Sequence, residues 1–308
     1  MRLSARIRAF ALAAALLPAA AEAGWETVEA GRGWVRVRVP DAPAPAAGWP
    51  LLVVLHGFGA SGFWQEQYLQ LSAPAVARGF LYALPDGTQD PDGNRFWNAT
   101  DACCDFYGSG VDDVGYLRAL VAAIDAELGV DPRRVHFFGH SNGGFMAYRM
   151  ACSAADLLTS AASLAGATFA EPADCAPVRP VRILQIHGDA DATILYEGGL
   201  LAGVPYPGAG QCASTWAEYD GCLDLPAAGA PFDAEATIAG DETDTAAWGV
   251  GCRGPGAELW SIAGGSHVPS FTAEFRTRLL DWFEAAGAAL LSDGFESGDL
   301  RAWEAPAP

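Results

Sequence analysis

Ser141 stands between two glycines in Gly139-His140-Ser141-Asn142-Gly143-Gly144. The preceding run, Arg134-Val135-His136-Phe137-Phe138, reads as a buried strand, and the run from Gly144 to Ala151 reads as a helix. A serine at a sharp strand-to-helix turn is presented as a nucleophile, and the flanking glycines relieve close approaches that side chains would block. Chemistry of that kind is acyl transfer. It needs a base for the serine proton, an acid to orient the base and N–H donors for the oxyanion.

Where such an elbow tops a parallel sheet, the chain order is serine, then Asp or Glu, then His. The chain has 5 histidines. His56, His136 and His140 precede Ser141, and His187 precedes the best acidic segment, which leaves His267 as the base. His267 follows the apolar segment Glu258-Leu259-Trp260-Ser261-Ile262, at the end of an expected strand. The acid is expected after the strand Val181-Arg182-Ile183-Leu184-Gln185-Ile186, where Asp189 and Asp191 compete. Asp191 is preferred, with Asp189 as a turn residue that accepts from nearby backbone N–H groups.

One oxyanion donor is expected from the N–H of Asn142, at the start of the helix after the nucleophile. The other is expected from the loop after the continuous apolar strand Leu51-Leu52-Val53-Val54-Leu55. In His56-Gly57-Phe58-Gly59 the Phe58 N–H is preferred and Gly57 is the alternative, with His56 a structural histidine that holds the loop.

The elements that must position these groups alternate strand and helix. Residues 34–39 alternate apolar and basic types, as an exposed edge strand with one buried face does. A helix over 64–78, a strand over 80–84, a helix over 111–128 capped by Gly129 and a strand over 161–167 follow in order. A helix over 271–286 closes the series. This pattern predicts an α/β fold, a mostly parallel central sheet with helices on both faces. Between the acid and the base, residues 197–257 are rich in Gly, Pro and Ala, with one short helix over 213–219. They are expected as an insertion walling the substrate cleft, with Tyr196, Tyr206 and Trp216 as candidate substrate-binding residues.

At 308 residues with 51% hydrophobic content, the chain has material for one large domain over 24–286. Residues 1–23 read as a secretory signal: Arg2, Arg6 and Arg8, an apolar stretch, then Ala21-Glu22-Ala23. Residues 287–308 form a short tail. Export to an extracellular or periplasmic space is therefore expected. A formal net charge of −19 argues against nucleic acid and anionic membrane as partners. All basic residues are arginine. Seven cysteines in an exported chain favour disulfides, and their spacing offers no zinc site, so neither metal nor organic cofactor is expected. The preferred pairs are Cys152–Cys175 and Cys222–Cys252, and Cys103 and Cys104 bridge each other or separate partners.

These residues together resemble the secreted polyhydroxybutyrate depolymerase and feruloyl esterase family of α/β hydrolases. The resemblance is carried by Leu55-His56-Gly57, Pro85-Asp86-Gly87, Trp97-Asn98 with Cys103-Cys104, Gly110-Val111-Asp112-Asp113-Val114 and the serine elbow. Ile186-His187-Gly188 with Asp191, and Gly264-Gly265-Ser266-His267, complete the set. It implies an α/β-hydrolase fold, a Ser141–Asp191–His267 triad and a polymeric or oligomeric ester as partner, either a feruloyl ester on plant cell-wall xylan or a polyhydroxybutyrate-type polyester. A non-catalytic polymer binder on the same fold, or a serine peptidase, are the alternative functions.

Overall fold

The computed structural model describes residues 24–223 and 225–292. The expected signal segment 1–23, and residues 293–308 of the expected tail, lie outside the described residues.

The strands are β1 Trp25–Glu29, β2 Trp34–Arg38, β3 Trp49–Leu55, β4 Leu81–Leu84, β5 Thr88–Gln89, β6 Arg95–Phe96 and β7 Val130–His140. They continue with β8 Ser160–Leu164, β9 Arg182–Gly188, β10 Gly198–Leu201, β11 Val204–Pro207, β12 Ala227–Ala228, β13 Thr243–Trp248 and β14 Ala257–Ile262. The helices are α1 Gly62–Leu69, α2 Ser72–Ala77, α3 Asp113–Leu128, α4 Asn142–Ser153, α5 Ala209–Tyr219 and α6 Ala273–Ser292.

Ten strands form one sheet in the order β1-β2-β4-β3-β7-β8-β9-β14-β13-β12. From β4 through β14 every neighbouring pair is parallel, and antiparallel pairs extend the sheet at both ends. The central strands are apolar on both faces because helices cover both. Along β3, Leu51, Val53 and Leu55 pack into one core with side chains of α3, α4 and α5. Leu52 and Val54 pack into the other, with side chains from α1, α2 and α6. The two-residue period of a strand divides one apolar run between two cores.

Several boundaries differ from the sequence expectation. The single helix over 64–78 is two, because Gln70 adopts a left-handed backbone (φ 51°) at the end of α1. The strand at 34–38 is not the sheet edge, since β1 pairs outside it. Within residues 197–257, α5 and β13 are elements of the fold rather than parts of an added wall. α5 packs beneath β9 and β14, and β13 pairs with β14 as an integral part of the sheet. α6 runs six residues beyond the expected domain end at 286, into the segment read as tail.

Cys152–Cys175, Cys222–Cys252 and Cys103–Cys104 are bonded, and Cys212 is free and buried. No helix among the described residues is long and apolar enough to cross a membrane.

Candidate active site

β7 delivers the chain to Ser141, and α4 starts at the next residue. Ser141 has φ 54° and ψ −120°, a conformation that a non-glycine residue adopts only under strain. A Cβ on Gly139 would lie 1.9 Å from the Gly143 carbonyl oxygen, and one on Gly143 would lie 2.2 Å from the Leu55 carbonyl oxygen. Both glycines are therefore required sterically. The strain is held by the Ser141 N–H, which donates to the Leu164 carbonyl at 2.8 Å, and by α4 beginning on the Ser141 carbonyl.

The Ser141 hydroxyl lies 2.9 Å from His267 Nε2, and His267 Nδ1 lies 2.7 Å from Asp191 Oδ2. The carboxylate fixes the imidazole tautomer. Nδ1 carries the proton toward Asp191, and Nε2 is left to accept from the serine hydroxyl. Asp191 sits four-fold bonded in a buried pocket: Oδ1 accepts from Thr193 N–H at 2.7 Å and Ile194 N–H at 2.9 Å. Oδ2 takes His267, with His187 Nε2 at 3.3 Å. Burial works to raise the Asp191 carboxyl, but the bonds from His187, His267 and Thr193 outweigh it and hold it well below the usual carboxylate range. Asp189 is elsewhere. It is exposed and accepts from Gly264 N–H at 2.6 Å, so it braces the loop leading to His267.

Beside the serine lies the loop after β3, with a Cβ on Gly57 falling 3.4 Å from Ser141 Cβ. The Gly57 N–H donates to Gln65 Oε1 at 3.3 Å. No acceptor among the described residues takes the Phe58 N–H, and the Asn142 N–H belongs to the first turn of α4, where no carbonyl lies ahead of it. His56 holds the loop. Its Nε2 accepts from Gly87 N–H at 2.9 Å while Nδ1–H donates to the Gly57 carbonyl at 2.8 Å. Burial lowers its pKa to about 4, so the ring stays neutral and can play both parts.

Three supports were not legible from motif order. The Asn142 side chain accepts from Trp97 N–H at 2.8 Å and donates back to the Trp97 carbonyl at 2.9 Å, tying the 97–104 loop to the elbow. His140 Nε2–H donates to the His267 carbonyl at 2.9 Å, fixing the base loop from below. Gln185 Nε2 donates to His187 Nδ1 at 3.0 Å and to the Gly166 carbonyl at 2.9 Å, and its Oε1 accepts from Tyr148 at 2.8 Å. That leaves His187 with its proton on Nε2, shared between the Ile194 carbonyl at 2.8 Å and Asp191. The one available signal was the four-residue spacing of His187 and Asp191 at the end of β9.

The expected substrate-binding aromatics need correction. Trp216 is 1% exposed and donates to Thr168 Oγ1, and Tyr206 is 5% exposed and accepts from Leu195 N–H. Both are interior side chains. Tyr196 is half-buried, with its hydroxyl on Ser261 and its ring 5.7 Å from His187. Large apolar side chains near the serine are instead Phe58, 39% exposed, with Phe106 packed edge-on against it at 5.6 Å, and Val268 beside the base. Among the described residues, no cluster of His, Cys, Asp and Glu could hold a metal ion.

A twisted parallel sheet with helices on both faces, carrying the serine on a strained turn after a central strand, defines an α/β hydrolase. The solved acetyl xylan esterase from Aspergillus awamori has the same fold, with a TM-score of 0.57 at 16% identity over 84% of this chain and 98% of that one. In sequence, the chain is related to proteins named feruloyl esterase. It is 32% identical over 205 residues to feruloyl esterase B of Piromyces equi, covering 64% of this chain and 37% of that protein. It is 31% identical over 147 residues to feruloyl esterase B of Neurospora crassa, covering 46% of this chain and 48% of that protein. The matched stretch thus spans less than half the length of each of these relatives. No protein-family model matches the chain.

Proposed function

We propose that this chain is an exported serine carboxylic ester hydrolase that cleaves esters carried on a polymer or oligomer through an acyl-enzyme. The observation that supports this most directly is the unbroken hydrogen-bonded series Ser141–His267–Asp191, beside the Phe58 and Asn142 N–H groups, which find no acceptor among the described residues. In this reading His267 Nε2 takes the hydroxyl proton as Ser141 Oγ bonds to the ester carbonyl carbon. The N–H groups of Phe58 and Asn142 hold the developing oxyanion, and each such donor is worth about 3 kcal/mol at the transition state. His267 then passes its proton to the departing alcohol oxygen. Water repeats the sequence on the acyl-enzyme, releasing the acid and restoring Ser141. Asp191, already ionised and held by four donors, stabilises the imidazolium at both stages without taking a proton.

The names of the two fungal relatives favour a feruloyl ester over a polyhydroxybutyrate-type polyester, and the exposed Phe58–Phe106 pair offers an aromatic acyl group a surface to pack on. Three disulfides support an oxidising, extracellular or periplasmic location. A fluorophosphonate probe should label the purified protein at Ser141 and leave Ser141→Ala unlabelled. A parallel panel of methyl ferulate, acetylated xylan, p-nitrophenyl butyrate and polyhydroxybutyrate film assigns the substrate. An unlabelled serine with retained polymer binding would move the reading to a non-catalytic polymer binder.

A further inference from the structure

Apart from Trp34, every exposed Phe, Tyr and Trp among the described residues falls in two segments, 58–64 and 106–107. The two segments flank the oxyanion loop from opposite faces of the sheet. On one face the 97–104 loop packs Trp97, Cys103 and Cys104 into the core with α3 and α4, and Phe106 follows it to meet Phe58. On the other face lies α1. Its N-terminus sits at the C-terminal edge of the sheet, where the Gly62 N–H donates to Asp86 Oδ1, just after β4, at 2.8 Å. Phe63 and Trp64 stand in its first turn, 51% and 65% exposed, with their rings edge-on at 5.2 Å.

Helix register ties Trp64 to the side of the base. Tyr68 is four residues further on, so the two side chains share one stripe of α1, with Trp64 about 6 Å nearer the rim. The Tyr68 ring lies 5.2 Å from that of His140 and 5.8 Å from that of Phe271. His140 in turn lies 5.0 Å from the His267 ring, and Phe271 follows His267 on the way into α6. The stripe that carries Trp64 therefore runs against the base loop, where Val268 is also exposed.

We propose that Trp64, backed by Phe63, is the subsite for the leaving alcohol, and that the alcohol it takes is a sugar residue of an oligosaccharide chain. This assignment rests on the esterase reading and names the side of the ester that each aromatic pair receives. His267 Nε2 hands its proton to the departing alcohol oxygen, so the alcohol half lies toward the base loop. The acyl half is left to Phe58 and Phe106. An indole face open to solvent encloses nothing. A flexible aliphatic chain gains little there, since the entropy lost in ordering it offsets the contact, whereas a rigid sugar ring lays several C–H groups on the indole at once. A neutral aromatic face also suits an uncharged chain, in a molecule whose net charge of −19 repels polyanions.

The experiment compares two esters with the same acyl group, methyl ferulate and a feruloylated arabinoxylo-oligosaccharide. Trp64→Ala should lower kcat/KM about tenfold for the oligosaccharide ester, through KM, and leave methyl ferulate within about twofold. Trp64→Tyr should recover most of the loss, and Phe106→Ala should weaken both esters alike. Trp64 is exposed, so its variants should melt with the parent. Equal effects of Trp64→Ala on the two esters, or none on the oligosaccharide ester, would overturn the proposal. A second measurement needs no turnover. The Ser141→Ala protein is titrated with the ferulate-free arabinoxylo-oligosaccharide, and the Trp64 indole N–H signal, assigned by its loss in Trp64→Tyr, should shift. A fixed signal rejects the subsite whichever ester is cleaved. A shifted signal in a protein whose parent cleaves neither ferulate ester supports the subsite and counts against the feruloyl reading alone.

Discussion

Asp191→Asn is the perturbation with the most specific expected outcome, because the surrounding bonds dictate how the new amide must sit. Oδ1 of Asp191 is pinned by the N–H groups of Thr193 and Ile194 at 2.7 and 2.9 Å. An asparagine must keep its oxygen there, since turning the amide would aim its NH₂ at two donors. The NH₂ then faces His267 Nδ1, which becomes an acceptor, and the imidazole proton moves to Nε2. In that tautomer the ring cannot take the Ser141 proton. The loss of the correct tautomer is worth on the order of 10⁴ in kcat, which corresponds to about 5.4 kcal/mol at the transition state. Shape and volume are nearly unchanged, so the melting temperature should move little. Asp189→Asn is the matched control. Its oxygen still accepts from Gly264 N–H on the exposed side of the loop, and kcat should stay within about twofold. The assay is kcat for a soluble ester such as p-nitrophenyl butyrate, with near-ultraviolet dichroism and thermal melting to check the fold. A kcat for Asp191→Asn within tenfold of the parent, or a larger loss for Asp189→Asn, would refute the argument.

His187→Leu removes one of the two side-chain donors on Asp191 Oδ2 and should lower kcat by roughly 10- to 100-fold with KM little changed, the scale of one charged hydrogen bond. Gly143→Ala should fail to accumulate as folded protein, since its Cβ would lie 2.2 Å from the Leu55 carbonyl oxygen; a normal yield with normal melting would contradict the elbow packing. Alkylation without reduction should modify no cysteine in the native protein and Cys212 alone after denaturation, as mapped by mass spectrometry. Stability should fall in acid. Burial depresses His56, His136 and His140 to about 4, about 3 and about 4, below their unfolded value of 6.5, so the unfolded chain binds protons there that the native state refuses. Their neutral burial is without penalty above pH 6.5 and becomes destabilising as pH falls from 6.5 toward 4. Asp220, pushed up to about 7 by burial, opposes this with one proton of the other sign over the same window. Burial raises the Asp113 carboxyl as well, so about two protons is the upper bound on the net uptake on unfolding, a slope of at most about 2.7 kcal/mol per pH unit. A melting temperature flat between pH 6.5 and 4.5 would contradict it.

The sequence by itself determined those features that depend on local sterics or on chain order. A serine flanked by glycines at a strand–helix junction has one favourable arrangement, so Gly139, Ser141 and Gly143 predicted the elbow. With few histidines in the chain, order alone singled out His267, and the apolar runs 51–55 and 181–186 announced strands covered on both faces. Tertiary structure decided whatever turned on distances across the sheet. Asp189 and Asp191 have the same chemistry two residues apart, and the loop path after β9 aims only Asp191 at the base. Gly57 and Phe58 each offer an amide, and Gln65, eight residues away on α1, occupies one of them. Trp216 and Tyr206 have the composition of a cleft wall, yet α5 and the β10–β11 hairpin pack them inward, because a large aromatic gains more from burial than from lining a surface. The alternation of apolar and basic residues over 34–39 was visible in the chain, but the pairing of β1 outside it, which takes it from the sheet edge, was not. Local patterns specify what a segment can be. Which of two equivalent groups reaches its partner is settled by how remote segments pack, and no periodicity in the chain encodes that.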